Sequence, residues 1–438
     1  MVLTSWDAAA QDNGRTASLT APPAPPTVVN ACLLDGFSTG GRTVTVNDTA
    51  LAYPFNSAEG LALSDAYEKA QGQPGLLRVQ LPYGEPAWLV TRYDDARLVL
   101  GDRRFSRAVG ADHDEPRQSE GRLGSGILSM DPPDHTRLRS LVAKAFTVHQ
   151  AEKLRPQVRQ LCAELLDDME AAGPPADLVD GFALPLPVAV ICRMLGVPAE
   201  DRPKFRVWSD AALSTSSLTA AEFEANREEL RSYMRQLITV HRDDPRDDLM
   251  TALIDARDNG DRLSELELVD LCVGILVAGH ETTATQIPNF VLTLLDHPAQ
   301  LAALRDDPGL IPAAVEELLR FVPLGSGAAQ PRYATEDIEV GGTLVRAGSP
   351  VLVATGAANR DALRFTTPGT LDIARETNQH LGFGHGVHHC LGAPLARLEL
   401  QEALAALTGR MPGLRTAGDV VWKSEMLVRG PRSMPVAW

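Results

Sequence analysis

With 438 residues, the chain is long enough for a large core and a buried cofactor. Its composition, 44% hydrophobic and 22% charged, is that of a globular protein, and its formal charge of −16 argues against nucleic acid or an anionic membrane as the main partner. The five cysteines, Cys32, Cys162, Cys192, Cys272 and Cys390, are odd in number and widely spaced, which disfavours a disulfide framework and fits a reducing cytoplasm.

Residues 1–52 carry an Ala-Pro tract and no helical period, and they read as an extended or poorly ordered N-terminal arm. They show no basic region leading into an apolar core, so no signal peptide is expected. Compact sequence starts near Tyr53, and 53–438 reads as a single domain. Two extended segments, 76–81 and 87–91, flank Pro82-Tyr83-Gly84-Glu85-Pro86 and read as a hairpin. After Asp94 the chain turns mostly helical. Asp131 before Pro132 has the form of a helix start. Further helical runs cover 149–172, 187–195, 199–213, 219–241 and 246–257.

Ser264 with Glu267 forms a capping-box pattern, and the helix behind it is expected to reach about His297. Leu268, Leu271, Ile275 and Ala278 share one face, and so apolar a helix belongs in the centre of the fold. Its apolar run falls well short of the roughly 20 residues of a membrane span. Pro288 is expected to kink it. A helix over 309–321, short strands between Ile338 and Val353, and an Ala/Leu-rich helix over 391–407 complete a mainly α fold with a smaller β portion.

Four constellations carry chemistry. His135 and Arg139, four apart, share a helix face and offer cationic or hydrogen-bonding partners to an anion, whereas Arg137 between them reads as a solvated surface charge. In Ala278-Gly279-His280-Glu281-Thr282-Thr283 an acid stands beside an alcohol, a pairing suited to moving protons. The same threonines are equally suited to bonding back to helix carbonyls, and Gly279 clears space. Glu317 and Arg320, three apart, would ordinarily be a surface ion pair of little worth. Finally, Cys390 follows a glycine-rich turn and precedes a helix, where a thiolate is favoured. A thiolate so held suits a haem iron. The alternatives are an inert buried cysteine, which leaves Gly384 and Gly386 unexplained, and a zinc site with His385, His388 and His389, for which no paired cysteines occur elsewhere.

The run Phe383-Gly384-His385-Gly386-Val387-His388-His389-Cys390-Leu391-Gly392 resembles the haem-binding loop of the cytochrome P450 superfamily, and the other three constellations follow that family's order. The resemblance implies a triangular helical prism, with haem b (iron protoporphyrin IX) between the long central helix and the Cys-ligand helix. It implies Cys390 as iron ligand, with N–H groups of Leu391 and Gly392 bonding to its sulfur. Phe383, Gly384, Ala278 and Gly279 would lie about the haem, and His135, Arg139, Arg332 and His388 would hold its propionates. Glu281 and Thr282 would deliver protons, while Glu317 and Arg320, joined by Arg375, would lock the core. Ile275, Leu324, Gly325, Ser326, Ala328 and Leu427 would line the substrate pocket.

The implied enzyme is a bacterial monooxygenase that hydroxylates or epoxidises a bulky secondary metabolite such as a polyketide or macrolide. Because no flavin or iron–sulfur domain is evident, its electrons are expected from a separate ferredoxin and ferredoxin reductase. Oxidative phenol coupling is the alternative. A peroxygenase sits less well with the acid–alcohol pair, and a haem-thiolate sensor would need neither that pair nor an electron supply.

Overall fold

The computed structural model describes residues 50–57, 59–122, 126–213, 215, 218–258, 263–325 and 330–438. It opens with β1 (Leu51–Ala52), α1 (Asp65–Gln71), β2 (Leu77–Gln80), β3 (Ala87–Val90), α2 (Tyr93–Gly101) and β4 (Phe105–Ser106). A helical run follows: α3 (Asp134–Ala143), α4 (Val148–Ala172) and, after β5 (Ala176–Asp177), α5 (Pro185–Met194), α6 (Arg202–Leu213), α7 (Ala220–Asp243) and α8 (Leu249–Asp258). Then come α9 (Glu265–Leu295), α10 (Pro298–Asp306) and α11 (Ile311–Phe321). The strands β6 (Arg332–Ala334), β7 (Ile338–Val340), β8 (Thr343–Val345) and β9 (Pro350–Val353) lead through α12 (Thr355–Ala358) to α13 (Ala393–Arg410). The chain closes with β10 (Arg415–Thr416), β11 (Val421–Trp422), β12 (Pro431–Ser433) and β13 (Pro435–Ala437).

Helix α9 organises the molecule. Ser264 accepts from the Glu267 N–H at 3.2 Å while the Glu267 carboxylate accepts from the Ser264 N–H at 2.6 Å, so both bonds of the capping box form. Its 31 residues run through Pro288 without a break, about 46 Å at 1.5 Å per residue. Because Leu268, Leu271 and Ile275 and most other residues of the helix are buried, helices α5, α7, α8 and α13 pack around it in the main core, while Ala278 is left exposed. No helix among the described residues is long and apolar enough to cross a membrane.

The strands make a six-stranded sheet in the order β1-β2-β3-β9-β6-β4. β2 and β3 pair antiparallel as the expected hairpin, and β9, buried at every position, lies parallel to β3. Leu51 and Ala52, assigned by composition to the N-terminal arm, pair with Val79 and Gln80 and so belong to this sheet.

Two local expectations change. Asp131 does not cap α3: the helix starts at Asp134 with no side-chain cap, and the Asp131 carboxylate instead accepts from Ser106 Oγ and from the Arg107 N–H at 3.0 Å. Its partners lie across the turn after β4, which the carboxylate thereby holds against the start of α3. Arg137 is more than a solvated charge, since its guanidinium pairs with Glu267 and ties α3 to the start of α9.

Candidate active site

Cys390 sits on a loop whose shape depends on two glycines. Gly384 and Gly386 both adopt φ +73°, a left-handed conformation that favours glycine. A Cβ on Gly386 would lie 2.3 Å from the Leu100 carbonyl oxygen, so the loop rests directly on the end of α2. The Cys390 N–H donates to the Phe383 carbonyl at 2.8 Å and closes the turn. The N–H groups of Gly392 and Ala393 donate to the sulfur; the expected pair was Leu391 and Gly392. The helix proper begins at Ala393, three residues beyond the cysteine, which moves the donors one position along.

Cys390 has accessible surface on one side and is enclosed by protein on the others. Burial raises its thiol pKa, outweighing the two N–H donors and the guanidiniums of Arg139 and Arg397. The helix-end argument alone therefore does not ionise the thiol.

Beside this loop lies a set of imidazoles and guanidiniums with no ion pair among the described residues, Asp131 acting on Arg107, His135 and Arg332 only at longer range. His135 and His388 stack with ring centroids 4.3 Å apart. Both ring nitrogens of His388, and Nδ1 of His135, are buried without a hydrogen-bond partner. Burial, Arg107, His135 and Arg332 push the His388 pKa down to about 2. Burial and the neighbouring Arg107 lower Arg332 to about 9, and burial lowers Arg107 to about 10. Arg332 is 3% exposed and makes no ion pair among the described residues. Arg139 donates to the His389 carbonyl at 2.6 Å, joining this cluster to the cysteine loop.

A buried group of imidazoles and guanidiniums that lower one another's pKa values, with orphaned ring nitrogens, fits a dianionic ligand. The dicarboxylate edge of a haem meets that demand. The structure adds Arg107 to this group. His385, His388 and His389 do not converge: His385 packs on Gly101, His388 on His135, and His389 near Phe383. No three His, Cys, Asp or Glu side chains gather as a metal site among the described residues.

On α9, Gly274, Ala278 and Thr282 recur every four residues and line a cavity of about 470 Å³. Trp208, Phe223, Leu230, Pro323, Gly325 and Leu427 are among its other walls. A second cavity, of about 600 Å³, shares Gly126, Leu128, Gln330 and Leu427 with the first and reaches Arg107. Of the expected pocket residues, Gly325 and Leu427 line it. Ile275 does not: it is 8% exposed and packs in the main core, because the wall is the 274/278/282 stripe, one position round the helix. Leu324 uses its carbonyl to accept from the Arg429 N–H at 2.7 Å and is not among the lining residues, while Ser326 and Ala328 lie outside the described residues.

Gly279 also differs from expectation. A Cβ there would meet Ile191 Cδ1 at 2.7 Å, so its bare backbone serves the close packing of α5 on α9 rather than the cavity. Thr282 donates to the Ala278 carbonyl at 3.0 Å and keeps its oxygen free to accept from the cavity side. Glu281 is 3% exposed, outside the cavity wall, and paired with Lys423.

Glu317 and Arg320 are both fully buried and joined by two bonds of 2.7 and 2.8 Å. Glu317 also accepts from Arg375 at 3.0 Å, Asn378 at 3.1 Å and the Asp372 N–H at 3.0 Å. Arg320 in turn donates to the carbonyls of Asn359, Pro368 and Thr370. The helix pair thus anchors the long irregular segment that leads to the cysteine loop.

Glu399 of α13 is 1% exposed, and neither carboxyl oxygen has a well-formed hydrogen bond; Thr283 of α9 approaches without good geometry. Burial raises its pKa to about 8, so it is held neutral at pH 7. The unfolded chain ionises this group at its ordinary value and the folded chain does not, so the folded state loses stability as pH rises from about 4.5 to about 8. Glu399→Gln, isosteric and neutral, should remove that loss and be the more stable protein at pH 8, by several kcal/mol at most. Thermal melts of both proteins across this range check it, and parallel pH profiles would sink it.

The family model for cytochrome P450 matches residues 202–308 and 309–409. Mycinamicin IV hydroxylase/epoxidase of Micromonospora griseorubida is 54% identical over 390 residues, covering 88% of this chain and 98% of its own length. Nocardicin C N-oxygenase of Nocardia uniformis subsp. tsuyamanensis is 51% identical over 400 residues, covering 90% of this chain and 100% of its own. Among solved structures, that of HinD with NMFT and NO matches with a TM-score of 0.87 at 46% identity, covering 90% of this chain and 100% of that one.

Proposed function

The chain belongs to the cytochrome P450 family, and from that membership we propose that it inserts one oxygen atom of O2 into a bulky secondary metabolite, by hydroxylation or epoxidation. It is a P450 monooxygenase with a haem cofactor, an organic substrate and outside redox partners. The haem is haem b, and a ferredoxin with its reductase supplies the electrons; residues 53–438 act as one catalytic domain. A macrolide-like substrate is favoured by the size of the cavity against α9, its largely apolar walls and the 54% identity to a macrolide hydroxylase/epoxidase. Both relatives are named for inserting oxygen, which favours that over phenol coupling.

When bound, the haem supplies oxygen activation. The residues do the rest. Cys390 is the iron ligand, and the Gly392 and Ala393 N–H groups moderate its sulfur charge. Arg107, His135, Arg332 and His388 bind the two propionates, and Arg139 fixes the cysteine loop to that cluster. Thr282 holds a proton at its hydroxyl on the cavity wall, and Glu281, next in the chain, is the acid that replenishes it. The apolar walls exclude water from the substrate's reacting carbon.

The observation that carries this reading is the accessible cysteine with two N–H groups on its sulfur beside a cluster of imidazoles and guanidiniums with orphaned ring nitrogens. The holoenzyme, a surrogate ferredoxin–reductase pair and mycinamicin IV as probe test it under 18O2. One labelled oxygen in the product is expected. Unlabelled or dimeric product would overturn it in favour of coupling. Thr282→Ala should raise the peroxide released per NADPH several-fold while substrate affinity holds. Unchanged coupling would remove Thr282 from proton delivery.

A further inference from the structure

The deepest buried charge pair near the cavity joins two residues far apart in sequence. Lys423, in the loop after β11, is 7% exposed, and its Nζ pairs with the Glu281 carboxylate. The same ammonium donates to Thr285 Oγ1 at 2.8 Å, and the Thr285 hydroxyl donates to Glu281 Oε1 at 3.3 Å. These three side chains close a triangle inside the protein. The Lys423 backbone is fixed by its N–H to the Gly430 carbonyl at 2.9 Å.

Consecutive helical residues point about 100° apart, so Thr282 can line the cavity while Glu281 turns toward Lys423. Two other titratable groups face this pair. His280 is fully buried, with Nδ1 on the Leu276 carbonyl, and burial lowers its pKa, keeping it neutral. Asp210 of α6 acts on His280 and is itself bound to Arg432 at 2.9 Å near the surface. Lys423 is therefore the one cation bonded to the Glu281 carboxylate among the described residues. Its loop also carries Leu427, a cavity wall whose N–H donates to the Leu213 carbonyl at 2.9 Å. An occupant of the cavity thus bears on the loop that holds the lysine.

We propose that Lys423 is the positioning residue for Glu281: its ammonium holds that carboxyl group turned out of the cavity and sets when it can exchange a proton with Thr282. This rests on the reading of Glu281 as the replenishing acid. A buried carboxylate stripped of its counter-charge takes up a proton. Infrared spectra of the folded holoenzyme read this directly.

Lys423→Met should gain a protonated-carboxyl band at pH 7 that disappears again in the Lys423→Met/Glu281→Gln double variant, which separates it from the band of neutral Glu399. Lys423→Arg keeps the charge and should gain none. The product formed per electron should show a new titration in Lys423→Met and its recovery in Lys423→Arg, a pattern that loss of packing alone does not produce. Should the methionine variant fail to fold, Lys423→Gln carries the same expectation. A folded variant with no new band overturns the proposal. A new band together with unchanged coupling in Glu281→Gln leaves the lysine's hold on Glu281 standing and overturns only the relay reading.

Discussion

Cys390→Ser should fold, bind haem weakly or not at all, and lose the thiolate-type absorbance of the reduced carbon monoxide complex, with turnover falling to background. A serine hydroxyl fits the space of the thiol but does not ionise near neutral pH, so it supplies no anionic donor. The surrounding structure is indifferent to the change: the Cys390 N–H bond to Phe383 is backbone, and Gly384 and Gly386 keep their turns. Melting temperature of the cofactor-free protein should accordingly move little. Persistence of the thiolate spectrum in the variant would mean that another residue binds the iron, and the described residues offer no second accessible cysteine: Cys162, Cys192 and Cys272 are buried. Burial pushes the thiols of Cys162 and Cys272 up to about 12, which leaves them inert.

The second large effect concerns stability. Arg320→Leu leaves Glu317 fully buried with Arg375 as its remaining cation, strips the carbonyls of Asn359 and Pro368 of their Arg320 donor, and leaves the Thr370 carbonyl with Arg375 alone. Breaking a buried pair on one side costs about 3–5 kcal/mol, against a total stability of about 5–15 kcal/mol for a folded domain. The expected outcome is a sharp fall in melting temperature and soluble yield, with haem content falling in parallel. Arg320→Lys should recover only part, because one ammonium cannot reproduce the two-pronged bond to Glu317 and three carbonyls at once. A melting temperature equal to that of the parent protein would show that the pair is ornamental.

What could be read from the sequence was what depends on near neighbours. The capping box at Ser264 and Glu267, the span of α9, the hairpin, and the i, i+3 pairing of Glu317 with Arg320 are all local, and the structure contains each of them. The turn around Cys390 was legible for the same reason: glycines spaced two apart constrain only their own loop. What could not be read depends on contacts between distant segments. Lys423 is a lone lysine in an unremarkable loop, and nothing near it in sequence points to Glu281, 142 residues away. Arg107 gave no signal because its role comes from the company of His135, Arg332 and His388. Gly279 and Ile275 were assigned to the wrong faces, since one position on a helix swings a side chain by about 100° and only the neighbouring helix decides which side is the wall.

The contact between Gly386 and the Leu100 carbonyl carries a consequence for how the protein is made. The cysteine loop takes its shape against a helix that leaves the ribosome among the first described elements, yet the loop itself emerges among the last. During synthesis α2 must wait, with β6 and β9 of the neighbouring sheet also still to come, for a loop that is translated much later. The cysteine loop therefore forms only after most of the chain has been made, and a chain stopped before Phe383 would lack both Cys390 and the part of the main core that α13 supplies.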